Sequence, residues 1–353
     1  MKRIIALILV LVLCCGVFSA CGETKKTETK QEETIVEDDG VLKILMIGHS
    51  LGNDSTYLLP EVFKNENAGP LVMGVIYHSG CRLGQHLEYS SQNAAQYAYY
   101  EYDTQVDNQW RRADCNGGYA PFIAGTGTDQ FIEDGSIAQT MEFGITRHDW
   151  DIIVTQAGVF EAAATKDSAY NVNIAEDLNA LLEYVLSKDI EPASKPKIGW
   201  NITWTCPSDE MMNDTYKNHL YNNFANADEM YEAIVKTAKD VVAPAYDFEY
   251  IFPSGTALQN ARSSALEPKD LYRDTIHAND YGRLIVAYTW YCTLTGKDIN
   301  SCQFGAINSI SLVNNLMVSM GQNFEMTEQQ KTILIESVTN ALASPFAMTQ
   351  SVN

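Results

Sequence analysis

From residue 41 onward the chain alternates short apolar runs with longer segments of helical period. The runs are "LKILMIG" (42–48), "LVMGVIY" (71–77), "WDIIVTQ" (150–156), "KIGWNITW" (197–204) and "FEYIF" (248–252). Continuous apolar runs of this kind predict strands covered on both faces. The segments "NIAEDLNALLEYVLSKD" (173–189), "NADEMYEAIVKTAKDVV" (226–242), "DYGRLIVAYTWYCTLTG" (280–296) and "TEQQKTILIESVTNALA" (327–343) space their apolar residues as one helix face does. Asn226 or Asp228 can cap the second of these, and Asn279 or Asp280 the third. Pro60, in "STYLLPEVFKNEN", starts or kinks the first helix. Strand–helix alternation predicts a parallel sheet with helices on both faces.

Residues 84–148 interrupt that rhythm as a long insertion after the second strand. It carries Tyr97, Tyr99, Tyr100, Tyr102, Trp110, Tyr119 and Phe122. A loop of this length is functional or forms a subdomain of its own. Its "GTGTD" (125–129) is not a nucleotide loop, because no strand precedes it and no clear helix follows.

The N-terminus has a different pattern. Lys2 and Arg3 precede "IIALILVLVLCCGV", and "FSACGE" follows. A basic start, a short apolar stretch and small residues describe an export signal over 1–21, too short for a comfortable membrane span. "FSAC" resembles the lipobox of bacterial lipoproteins. That resemblance implies lipidation of Cys21 and anchoring on the outer face of the cell membrane, or in the periplasm or outer membrane of a diderm cell. Residues 22–40, "GETKKTETKQEETIVEDDG", lack aromatic residues and read as a disordered tether. The folded domain is expected over 41–345.

Composition narrows the partners. The chain has 353 residues, 46% hydrophobic, enough for one large core or two modest ones, and a formal charge of -21. That charge argues against nucleic acid and against anionic membrane surfaces, which both require a basic patch. Five cysteines follow the signal: Cys81, Cys115, Cys206, Cys292 and Cys302. An odd number leaves at least one thiol free; Cys81–Cys115 and Cys292–Cys302 are conceivable pairs, as are free thiols throughout. No CxxC or His/Cys spacing suggests zinc, and no metal or cofactor is expected.

The first strand ends in "GHSLGNDS" (48–55), a Gly, a His and a Ser before a cluster of turn formers. A serine hydroxyl used as a nucleophile needs a base, and the base needs an orienting acid. Among six histidines, His277 in "RDTIHAND" has Asp274 three residues before it, so a short loop can set the carboxylate against one ring nitrogen. Read singly, Ser50 could be a helix cap and His277 a surface histidine.

Read together, "IGHSL", "SGCRLGQH", "WDIIVTQ" and "RDTIHANDYGR" resemble the successive blocks of the SGNH (GDSL-like) hydrolases. "TWTCP" (203–207) and "PSGTALQNAR" (253–262) bring the likeness closer to the DUF4886-type bacterial subgroup. The resemblance runs over roughly 41–300. It implies a flavodoxin-like three-layer α/β/α sandwich with a five-stranded parallel sheet of order 2-1-3-4-5 and an insertion after strand 2. It also implies a cell-surface serine esterase with Ser50 as nucleophile, His277 as general base and Asp274 as its orienter. Ser50, Gly80 and Gln156 would form the oxyanion hole. His49 stands where the wider superfamily usually has Asp or Asn, and Gln156 where it usually has Asn. In that sheet order, Ser50, Gly80 and Gln156 follow three adjacent strand ends, where ligands of such sheets bind. The aromatic insertion points to acylated carbohydrate as substrate. The alternatives are a lipid or thioester hydrolase of the same fold, and a non-catalytic glycan- or solute-binding lipoprotein.

Overall fold

A computed structural model describes residues 39–114, 116–120, 138–164, 173–188, 195–207, 210–313 and 316–351, without the side chains at 120 and 308–323. The signal, Cys21, nearly all of the tether, Cys115, Phe122 and "GTGTD" lie outside the described residues.

The five apolar runs are strands: β1 (Leu42–Gly48), β2 (Leu71–Tyr77), β6 (Ile152–Thr155), β7 (Lys197–Asn201) and β8 (Tyr250–Phe252). β1 runs parallel to β2 and β6, β6 to β7, and β7 to β8. Every residue of β2 and β6 is buried, so both faces of the sheet are covered. The expectation of a five-stranded, wholly parallel sheet needs correcting. Among the described residues the sheet is mixed and has eight strands, in the order β5-β4-β3-β2-β1-β6-β7-β8. The insertion supplies the other three, β3 (Ala98–Asp103), β4 (Trp110–Ala113) and β5 (Tyr119–Ala120), as an antiparallel meander added to β2.

That meander explains the aromatic insertion. Tyr97, Tyr99, Tyr100, Tyr102 and Trp110 are buried. Their rings meet edge to face, as between Tyr102 and Trp110 at 5.7 Å and Tyr77 and Tyr100 at 6.1 Å. These rings are core, so they offer no platform to a sugar. Glu101, also buried, accepts from Tyr99 Oη at 2.8 Å and pairs with His148 Nε2 at 2.7 Å. Burial would raise its pKa, but these bonds outweigh burial and bring it to about 2.

Helices α1 (Ser50–Thr56) and α2 (Leu59–Asn65) follow β1; the chain restarts at Leu59, with Pro60 in the first turn. α3 (Leu83–Ser91) follows β2, and α4 (Met141–Ile145) precedes β6. α5 (Val159–Ala162) and α6 (Ile174–Ser187) lie between β6 and β7. α7 (Asp214–Asn223) and α8 (Ala227–Thr237) lie between β7 and β8. α9 (Ser254–Arg262), α10 (Asp280–Thr295) and α11 (Glu328–Ala343) follow β8. α1, α2, α9, α10 and α11 pack as one group, and α3 packs against α4 and α6 in another. Asn226 and Asn279 are the caps: Asn226 Oδ1 accepts from Glu229 N at 2.9 Å, and Asn279 Oδ1 from Gly282 N at 3.0 Å. A hairpin with no counterpart in the apolar pattern, β9 (Ile307–Val313) and β10 (Leu316–Phe324), forms a separate two-stranded sheet before α11. No described helix is long and apolar enough to cross a membrane.

Among the described residues Cys81, Cys206, Cys292 and Cys302 are free thiols. The conceivable Cys292–Cys302 bridge is therefore not formed in this structure.

Candidate active site

β1 is flanked by β2 and β6 and ends on Gly48. His78 N donates to Gly48 O at 3.2 Å, which holds the loop after β2 beside the start of α1. Two glycines allow α1 to settle against the strand ends. A Cβ on Gly52 would stand 2.7 Å from Met46 Cε and 3.2 Å from Gln156 Nε2; one on Gly48 would stand 3.4 Å from the same nitrogen.

His49, not Ser50, caps α1. Its Nδ1 accepts from Leu51 N at 3.4 Å, and its Nε2 lies 3.2 Å from Ala157 O. One tautomer makes both bonds: Nε2 carries the proton and Nδ1 the lone pair. Burial, with a smaller contribution from the His277 charge, lowers His49 to about 4, so the ring is neutral at pH 7. A buried imidazole thus caps the helix as an Asp or Asn would, and it does so without a charge. Ser50, released from capping, opens the helix half-buried.

His277 lies on the loop between α9 and α10. Its Nδ1 stands 3.0 and 2.9 Å from Oδ1 and Oδ2 of Asp274, and Oδ1 also accepts from Ile276 N at 3.0 Å and His277 N at 2.9 Å. Burial opposes ionisation of Asp274, but the His277 ring and these amides outweigh it and hold the carboxyl well below the usual range. With Nδ1–H held by Asp274, Nε2 keeps its lone pair and can take a proton. No hydrogen bond joins Ser50 Oγ to His277 among the described residues. Such contacts commonly tighten only when substrate arrives.

Gly80 is exposed in the turn after β2, in the left-handed region at φ 59°. Gln156 is buried behind the Gly48–Ser50 turn. Its Oε1 accepts from Asn201 Nδ2 at 2.8 Å, and its Nε2 lies 3.2 Å from His49 Nε2. Asn201 is the hub of a buried polar network. It donates to Ser55 Oγ at 3.0 Å and accepts from Ser254 Oγ at 2.6 Å and from Trp290 Nε1 at 3.3 Å.

Two buried carboxylates escaped the sequence reading. Asp54 accepts from Arg273, Arg283 and the amide of Ala278. Glu161 accepts from Leu83 N at 3.2 Å and Gly158 N at 3.0 Å, fastening the loop after β2 to the loop after β6. Burial raises Glu161 to about 7 despite those two bonds. Asp54 had one sequence signal: it stands four residues after Ser50 in a helix-capable stretch, one turn along the same face.

The profile of the family described as "Domain of unknown function (DUF4886)" matches residues 129–316. The chain belongs to that family. The matched span includes Gln156, Asp274 and His277 and begins after Ser50 and Gly80. A DUF4886 family protein from Bacteroides uniformis is 21% identical, with a TM-score of 0.64 over 88% of this chain and 98% of that one, and it shares the fold. A protein named as a GDSL-like lipase, from Parabacteroides merdae, is 15% identical with a TM-score of 0.39 over 72% of this chain and 95% of that one. A catalytic mutant of an acetylxylan esterase from Geobacillus stearothermophilus is 11% identical with a TM-score of 0.37 over 72% and 94%. Likenesses of that size carry no statement about activity. No curated protein matches the chain.

Proposed function

We propose that the protein is a serine hydrolase of acyl esters. The observation that carries this reading is the Asp274–His277 pair, with Nδ1 held by the carboxylate and Nε2 unused, on a loop tied to the helix that Ser50 opens. Ser50 Oγ attacks the ester carbonyl carbon as its proton passes to His277 Nε2. The tetrahedral intermediate then collapses: the C–O bond to the alcohol breaks, and the departing oxygen takes the proton from Nε2. Water repeats the sequence on the acyl-enzyme and frees the acid and Ser50. Asp274 keeps the ring in one tautomer and supports the imidazolium. The oxyanion donors are the amides of Ser50 and Gly80 and the side chain of Gln156. In the His49 tautomer assigned above, Gln156 Nε2 faces an N–H rather than a lone pair, which leaves its own N–H groups for another acceptor.

For the alcohol we propose an O-acylated carbohydrate. The side chains of His277 and Asp274 are 24% and 48% exposed, an open rim that suits a bulky polar alcohol better than a buried acyl chain. We also propose that lipidated Cys21 ties the protein to the membrane, on the strength of "FSAC" behind an apolar run. The test of the activity is a fluorophosphonate probe followed by peptide mass spectrometry, run beside a chromogenic ester series of increasing acyl length. Label on Ser50 with preference for short acyl groups supports the reading. Label with preference for long chains moves it to a lipid or thioester hydrolase, and no label and no hydrolysis leave a binding protein.

A further inference from the structure

We propose that Asp54 is a positioning residue for this reaction, one that fixes the His277 loop against the helix that carries Ser50. The inference rests on the serine-hydrolase reading. Asp54 is fully buried, and each of its oxygens is engaged. Oδ1 accepts from Arg283 Nε at 3.0 Å and Arg273 Nη1 at 3.1 Å; Oδ2 accepts from Arg273 Nη1 at 3.0 Å and from Ala278 N at 3.0 Å. Arg273 also donates to the Ala278 carbonyl. Arg273 and Ala278 stand immediately before and after the Asp274–His277 stretch, so the loop is gripped at both ends from one carboxylate. That carboxylate lies one helical turn after Ser50, about 6 Å along the axis. Arg283, from α10, holds Asp54 from the far side and pairs with Asp280 at 3.2 Å. Nucleophile helix, base loop and α10 therefore meet on one side chain, and His277 cannot move relative to Ser50 without breaking a buried ion pair.

The grip is also electrostatic. The titratable groups that interact with His277 are Asp274 on its own loop and Asp54 and His49 on the Ser50 side; Arg273 and Arg283 flank Asp54 in turn, and Asp280 pairs with Arg283. Asp54 offsets part of the charge of the two guanidiniums it binds. Asp54→Asn keeps the shape and removes the carboxylate that the two arginines share, leaving Arg283 with Asp280 and Arg273 with Asp274, which disfavours the imidazolium. Arg273→Gln removes a positive charge and favours it. The two variants should then shift His277 in opposite directions, which a merely structural role would not do.

The experiment measures kcat, KM and the pH profile of ester hydrolysis, the rate of fluorophosphonate labelling of Ser50, and the imidazole titration of His277 by NMR. These are compared in the parent, Asp54→Asn and Arg273→Gln. Asp54→Asn should lower kcat and the labelling rate by roughly 10²-fold with KM little changed, the size of effect that a misplacement of about 1 Å produces. The acidic limb of its profile and the His277 titration should move to lower pH. Arg273→Gln, at a partly exposed site and tolerant if Asp54→Asn does not fold, should lower kcat roughly tenfold and move both to higher pH. If the variants lose only thermal stability while kcat and the His277 titration stay at parent values, Asp54 is a structural ion-pair partner and the proposal is overturned with the hydrolase reading intact. A parent that neither labels at Ser50 nor hydrolyses any ester overturns both.

Discussion

His49 Nε2 and Gln156 Nε2 stand 3.2 Å apart, two nitrogens that meet donor to donor when His49 Nε2–H donates to Ala157 O at 3.2 Å. That contact is no hydrogen bond in this tautomer, so the amide N–H groups of Gln156 are free to serve another acceptor. The longer Gln reaches past the imidazole while Asn201 holds its oxygen.

Gln156 is the first residue to test. If its amide stabilises the developing oxyanion, Gln156→Ala should lower kcat by roughly 10²- to 10³-fold with KM nearly unchanged, as for loss of one oxyanion donor. A raised KM with unchanged kcat would assign the side chain to the alcohol part of the substrate instead. Steady-state kinetics on one chromogenic ester decides.

Ser50→Ala and His277→Ala should each lower kcat by several orders of magnitude. The double variant should be hardly worse than either, because members of such a unit act together. Multiplicative losses in the double variant would show that the two residues do not cooperate.

Glu161 predicts a pH dependence of stability. Its folded pKa is raised from 4.5 to about 7, chiefly by burial. The folded state therefore prefers the protonated form. The contribution is fully present below pH 4.5 and is lost as pH rises through about 7. Its upper limit is about 3 kcal/mol, at about 1.4 kcal/mol per pH unit. Glu161→Gln should flatten this component, so that the Tm difference between variant and parent changes across that window and is constant above it. A parallel pair of Tm-against-pH curves would disprove the assignment.

Cys21→Ser should leave the signal unprocessed, or move the protein out of the lipid-modified fraction. Intact-mass measurement of the membrane extract reads this directly. The same lipid mass on variant and parent would rule out Cys21 as the acceptor.

Legibility in the sequence followed locality. The five parallel strands showed as apolar runs because both of their faces are covered, and Asp274 with His277 showed because they stand three positions apart. β3–β5 did not show: Tyr99 and Tyr100 are both buried although they point to opposite faces, so no alternation marks the strand. The meander therefore read as a loop, and its rings as a surface. Asp54 was hidden for another reason. Its partners are 219, 224 and 229 positions away, and no local pattern announces an ion pair assembled over that distance. His49 was visible as an oddity, but its capping role depended on the carbonyl of Ala157, on another strand's exit.

The meander has one more consequence. Without it the sheet would stop at β2, seven residues of straight, wholly apolar edge. With it, the sheet's borders among the described residues are β5, two residues long, and β8, three. Edges that short give an incoming strand almost no ladder to extend, which protects against edge-to-edge aggregation. A chain cut back to remove 98–120 should therefore fail by self-association before it fails by loss of chemistry.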